Sequence, residues 1–94
     1  MSDEARRSFG TASVHVGADW QVRCSAYPRE APILTVDAGC SSVTVTIAGR
    51  GAPGEPGVAF ARDLAAQAAR FAAECERLHA QQQAQTEAAG DSAA

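Results

Sequence analysis

The sequence has no lysine, and its eight basic residues are all arginines. Eleven acidic residues outnumber them and leave a formal net charge of −3 at pH 7. The arginines are scattered among acids, so no basic stripe of the kind that binds nucleic acid is present. Arginine without lysine, in a chain rich in alanine and glycine, points to the codon usage of a high-GC bacterium.

Long apolar runs and paired cysteines are also missing. The N-terminal segment MSDEARRSFG has no apolar stretch behind its charges, and no segment is long enough to span a membrane. Cys24, Cys40 and Cys75 are odd in number and lack a C-x-x-C spacing, which excludes a disulfide framework and disfavours zinc. We therefore expect a cytoplasmic protein with reduced thiols, of which Cys40, placed in a turn, is the reactive one.

Large apolar side chains are few. Alanine makes up just over half of the 46% hydrophobic content, and only eighteen residues are Val, Ile, Leu, Met, Phe, Trp or Tyr. Such a core is thin for an isolated domain of 94 residues, because small domains bury a smaller share of their surface. This composition favours self-association, and we expect a homodimer.

Alternation of apolar and polar residues predicts an α+β fold that begins with a four-stranded antiparallel β-meander. In the fourth strand, β-branched residues fill the positions that follow Ser42. The four strands are expected at residues 11–17, 20–27, 32–37 and 42–48.

Strand parity predicts which residues face each other. Val16 is expected opposite Trp20 in the first hairpin. In the last hairpin, Val36 is expected opposite Val43 and Leu34 opposite Val45. A register that places Arg23 opposite Asp37 is expected between the second and third strands. Each hairpin then has one apolar and one polar face, as expected for a sheet that is covered on one side.

A long C-terminal helix, at about residues 57–85, is predicted to pack on the apolar face of this sheet. Its apolar residues recur at alternating spacings of three and four, which also fits positions a and d of a coiled-coil heptad. The domain is expected to span residues 10–85, between disordered segments at 1–9 and 86–94, because Gly90 should end the helix. The residues expected to be buried together are Trp20, Val22, Leu34, Val36, Val45, Leu64 and Phe71.

Two surfaces are candidate sites. Pairing with a second copy is expected through the fourth strand or the helix, and the residues concerned are Thr44, Thr46, Ala61, Ala68, Phe71, Cys75 and Leu78. A ligand surface on the polar sheet face would use His15, Arg23 and Tyr27. For that face, ordinary cross-strand pairing is the simpler interpretation.

No pattern in the sequence predicts catalysis. Serine and cysteine are plentiful, but there are only two histidines and nothing suggests an oriented base, and the glycine-rich segment 49–57 lacks the lysine of a phosphate-binding loop. We expect no catalytic residue, no metal and no cofactor. The favoured function is a non-enzymatic protein–protein interaction or regulatory module, and the alternatives are a nucleic-acid-binding accessory protein that uses the polar sheet face and a small-molecule binder.

Overall fold

A computed structural model describes residues 8–93, with side chains through residue 90. Its regular elements are three strands and one helix: β1 (Trp20–Ser25), β2 (Ile33–Ala38), β3 (Ser41–Val45) and α1 (Glu55–Ala93). The three strands form an antiparallel sheet in the order β1-β2-β3. The fold is therefore α+β. The chain divides into a sheet unit, Met1–Gly57, and a helix unit, Val58–Ala94.

The predicted first strand, residues 11–17, does not form, so the four-stranded meander is wrong. The backbone N–H of Gly39 donates to the carbonyl of Asp19 at 2.9 Å, which extends the β1–β2 pairing beyond Trp20. Asp19 therefore continues β1 towards the β2–β3 turn instead of reversing the chain into a hairpin. The segment before it offers Val14 and Val16 as its only large apolar side chains, so a fourth strand would bury little apolar surface.

The β2–β3 hairpin confirms the predicted register, with Val36 opposite Val43 and Leu34 opposite Val45. Gly39 and Cys40 form its two-residue turn. Gly39 has a φ of 60°, while Cys40 is not among the residues with positive φ. Glycine at the first central position of a two-residue loop is the signature of a type II′ turn, whose twist matches that of the strands it joins.

The β1–β2 register differs from the predicted one by two residues. Arg23 lies opposite Thr35, and Cys24 lies opposite Leu34. A shift of two residues leaves every side chain on its predicted face, because side chains alternate with a period of two. The strands are shorter than the predicted 20–27 and 42–48, since β1 ends at Ser25 and β3 at Val45.

The helix α1 begins at Glu55 and extends eight residues beyond the predicted end at residue 85. Pro56 lies in the first turn, where its missing N–H leaves no helical hydrogen bond unmade. Gly90 does not end the helix. A single helical glycine costs only about 1 kcal/mol relative to alanine, and the neighbouring Ala88 and Ala89 favour helix.

The predicted core does not form within either unit. Among the described side chains no apolar residue is buried, and Trp20, Val22 and Phe71 are 60%, 55% and 73% exposed. The central strand provides partial shelter for Leu34 and Val36. Three short strands have no second layer within the sheet unit, so their apolar face remains accessible to solvent. The predicted disorder of residues 1–7 lies outside the described residues and stays a prediction.

Candidate functional site

The apolar residues of α1 form one continuous surface, which we call the helix stripe. Its members lie three and four residues apart, so they occur on one side of the helix. Phe71 is 73% exposed and Leu78 is 54% exposed, while Leu64 is partly buried. The helix stripe consists of Ala61, Leu64, Ala68, Phe71, Cys75 and Leu78. It is an apolar surface that water contacts over most of its length.

The other side of the helix is charged. Arg77 donates to Oε1 of Glu74 from Nη2 at 3.0 Å and from Nε at 3.2 Å. Both side chains are 56% exposed, so this i,i+3 ion pair adds little to stability. Charges on one side and apolar residues on the other define which side of the helix a partner would contact.

The apolar sheet face is unevenly covered. Trp20, Val22 and Cys24 of β1 are exposed, whereas Leu34 and Val36 of the central strand are partly buried. The central strand has a neighbour on each side, and β1 is an edge. The exposed tryptophan and valine therefore form a second apolar surface, on the sheet unit.

The polar sheet face contains the one buried residue of the described chain, Thr35, which is 5% exposed. Arg23 and Thr44 lie directly across from it on the two neighbouring strands. The guanidinium of Arg23 extends past Thr35 to form an ion pair with Asp37. The aliphatic part of the Arg23 side chain can thereby shelter the threonine.

The pKa of Asp37 is lowered from its ordinary value of 3.8. A hydrogen bond from the Ser42 hydroxyl is the largest cause, and the hydrogen bond and charge of Arg23 add to it. Asp37 therefore neutralises Arg23, and this pairing disfavours a phosphate group as the partner of that guanidinium.

The candidate ligand residues are not brought together on the polar sheet face. His15 is exposed in the segment that precedes β1, where the predicted strand is absent. Tyr27 follows β1 and lines an open concavity of about 290 Å³ with Glu30, Ile33 and Ile47. Only Arg23 occupies the sheet face itself, and it is paired.

A contact between two loops beside this concavity was not predicted. The backbone N–H of Gly51 donates to Oε2 of Glu30 at 3.1 Å, which ties the loop after β1 to the loop after β3. Twenty-one residues separate the two partners. A contact of that separation has no periodic pattern or local motif that sequence analysis could detect.

The candidate strand edge is shorter than predicted. Thr44 is exposed on β3, which pairs with β2 on one side and forms an edge of the described sheet. Thr46 is also exposed but follows the end of the strand. A five-residue edge offers few backbone groups to a second copy.

The three cysteines are free and exposed. Cys24 on β1 and Cys75 on the helix stripe are therefore both accessible to solvent. Within residues 8–93, no group of three or more His, Cys, Asp or Glu side chains is placed to hold a metal ion. The same part of the chain includes no helix with the length and apolar character needed to cross a membrane.

Comparisons with protein-family models, with curated proteins and with solved structures found no match for this chain.

Proposed function

We propose that this chain is a non-enzymatic protein–protein interaction module that works as a homodimer joined through the helix stripe. The exposure of Phe71, at 73%, is the observation that carries the proposal. Leu78 is 54% exposed on the same side of the helix, seven residues further along. Covering two large side chains that lie two turns apart requires an elongated partner, such as a second helix.

The length of the helix supports the same conclusion. Its 39 residues extend about 58 Å, at 1.5 Å per residue. Each six-residue strand extends about 20 Å. A sheet of this size can cover about a third of such a helix. The predicted packing of the helix on the apolar sheet face stays a prediction.

The energetics of helices provide a third argument. Helices in proteins draw most of their stability from packing of an apolar face and less from intrinsic propensity. The charged side of α1 contributes little, since its Arg77–Glu74 pair is a solvent-exposed surface pair. A dimer would supply the missing packing. The three exposed thiols are compatible with a reducing cytoplasm, which we propose as the compartment.

A matched pair of substitutions tests the proposal. Ala68 belongs to the helix stripe, and Ala69 is the next residue, on the other side of the helix. Ala68→Glu and Ala69→Glu change charge and helix propensity equally. Light scattering at micromolar concentration should give twice the 9.7 kDa chain mass for the unmodified chain and for Ala69→Glu. Ala68→Glu should give the mass of one chain.

Two outcomes would contradict the proposal. A monomeric unmodified chain would show that the helix stripe does not self-associate. A dimer that survives Ala68→Glu but is lost on Thr44→Pro would assign the contact to the edge of β3 instead, because proline removes a backbone donor from that edge.

A further inference from the structure

The residues of the helix stripe lie at symmetric positions about the midpoint between Ala69 and Arg70, and their sizes are complementary across that midpoint. Ala61 and Leu78 are equally distant from that point. So are the other two pairs, Leu64 with Cys75 and Ala68 with Phe71. Each of the three pairs combines a smaller side chain with a larger one. From this arrangement we infer that two copies pair with their helices antiparallel, an inference that rests on the proposed homodimer.

A two-fold axis at the midpoint would place each residue of a pair against its counterpart on the other copy. Such an interface is self-complementary, since the contact of residue i with residue j is repeated as j with i. Six layers would then stack along the stripe, each with one small and one large side chain. Layers of near-constant volume allow two straight helices to pack at uniform separation and without voids.

A parallel pair would use the same residues less well. Every residue would then face its own copy, so that Ala68 meets Ala68 and Phe71 meets Phe71. Narrow layers would alternate with wide ones along the seam. Two straight helices held apart by the wide layers would leave unfilled space in the narrow ones. Unfilled space in an apolar contact costs stability in proportion to its volume.

The residues that flank the stripe agree with the antiparallel arrangement. On one flank, Ala65 would lie beside Ala72 of the other copy, and two alanines allow close approach of the helices. On the opposite flank, where the stripe borders the charged side, Gln67 would lie beside Glu74 of the other copy, and its amide can donate to the carboxylate. No like charges meet at either flank. Both contacts occur twice because of the two-fold axis.

The two orientations make different predictions for Cys75. In a parallel pair, Cys75 of each copy lies in the same layer and can form a disulfide. In an antiparallel pair, the two Cys75 residues are offset by eleven residues, or about 16 Å along the axis. Disulfides need Cα atoms within about 7 Å, so Cys75 alone cannot link the copies.

The test is disulfide trapping in the full chain carrying Cys24→Ser and Cys40→Ser, which leaves Cys75 as the single thiol. Adding Leu64→Cys places a second thiol in the layer that Cys75 occupies in the antiparallel pair. The control is Ala66→Cys, which adds a thiol on the outer side of the helix instead. Each protein is oxidised at a concentration at which light scattering gives a dimer, and the covalent product is measured on a non-reducing gel.

We expect covalent dimer with Leu64→Cys, and little or none with Cys75 alone or with Ala66→Cys. Covalent dimer from Cys75 alone would overturn the antiparallel orientation but leave the homodimer standing. A dimer that no variant traps would overturn the helix stripe as the contact. A chain that scatters as a monomer before oxidation would instead refute the proposed function, so the two failures are distinguishable.

Discussion

The sheet unit and the helix unit differ in where their order comes from. The sheet unit has cross-strand hydrogen bonding, a type II′ turn at Gly39 and a sheltered polar residue, Thr35. The helix unit has regular backbone hydrogen bonding, but its large apolar residue Phe71 is 73% exposed. Local and cross-strand contacts thus account for the sheet, while the helix exposes an apolar side. The self-association that we propose therefore concerns the helix first.

The largest expected effect is a loss of stability on truncating a helix-stripe residue, with only a small loss for a residue of the sheet unit. Phe71→Ala should cost about 3–5 kcal/mol of dimer stability, the range for truncating a buried aromatic residue. Val22→Ala, on the exposed edge strand, should change stability by about 0.5 kcal/mol or less. Chemical denaturation at two protein concentrations measures both. An equally large loss for Val22→Ala would show that the apolar sheet face is covered as well.

Two helical glycines should respond in opposite directions to alanine. At Gly57, a Cβ would lie 2.8 Å from Cγ2 of Ile47 and 3.1 Å from Cβ of Pro53, whereas at Gly90 it would meet nothing within 4 Å. Gly90→Ala should stabilise the helix by up to about 1 kcal/mol, and Gly57→Ala should lose that gain to the overlap. Thermal melting followed at 222 nm measures each effect.

The double variant Gly57→Ala with Ile47→Ala provides the control, because it removes the methyl group that the new Cβ would strike. In that background, Gly57→Ala should be less unfavourable than it is with Ile47 present, because only the contact with Pro53 remains close. If Gly57→Ala already stabilises the chain with Ile47 present, the close contact between the helix start and Ile47 is not maintained.

The smallest expected effect is a change in stability at acidic pH. Because folding lowers the pKa of Asp37, the stability that this carboxylate contributes is present above about pH 4, near its unfolded pKa. That stability is lost as the pH falls through the lowered folded pKa. Asp37→Asn should flatten the acid side of the stability profile of the sheet. Ser42→Ala should weaken the dependence in part, and a profile unchanged by either substitution would contradict the assigned hydrogen bonds.

The parts of the fold that depend on short-range patterns could be predicted from the sequence. Alternation in Ser42–Val45 and the glycine at position 39 were sufficient to predict the β2–β3 hairpin and its register. The same alternation at Val14 and Val16 predicted a strand that is absent, because alternation does not report whether a neighbouring edge is available. The Glu30–Gly51 contact had no signal at all, since it joins two loops of irregular sequence.

In the candidate site, too, the features with a short-range sequence pattern could be predicted and the others could not. The spacing of three and four residues identified the helix stripe, whose large side chains Phe71 and Leu78 are exposed. The expected core required the helix stripe and the apolar sheet face to cover each other within one chain, a packing that stays a prediction. The small number of large apolar residues does not decide whether the helix stripe packs on the sheet of the same chain or on a second copy.

The most direct test of the central claim is the melting temperature of the helix as a function of protein concentration. Circular dichroism at 222 nm should be followed in the unmodified chain over a hundredfold range of concentration. If a second copy stabilises the helix, the melting temperature must rise with concentration, because association shifts the equilibrium towards the folded dimer. A melting temperature that stays constant across that range would contradict the account.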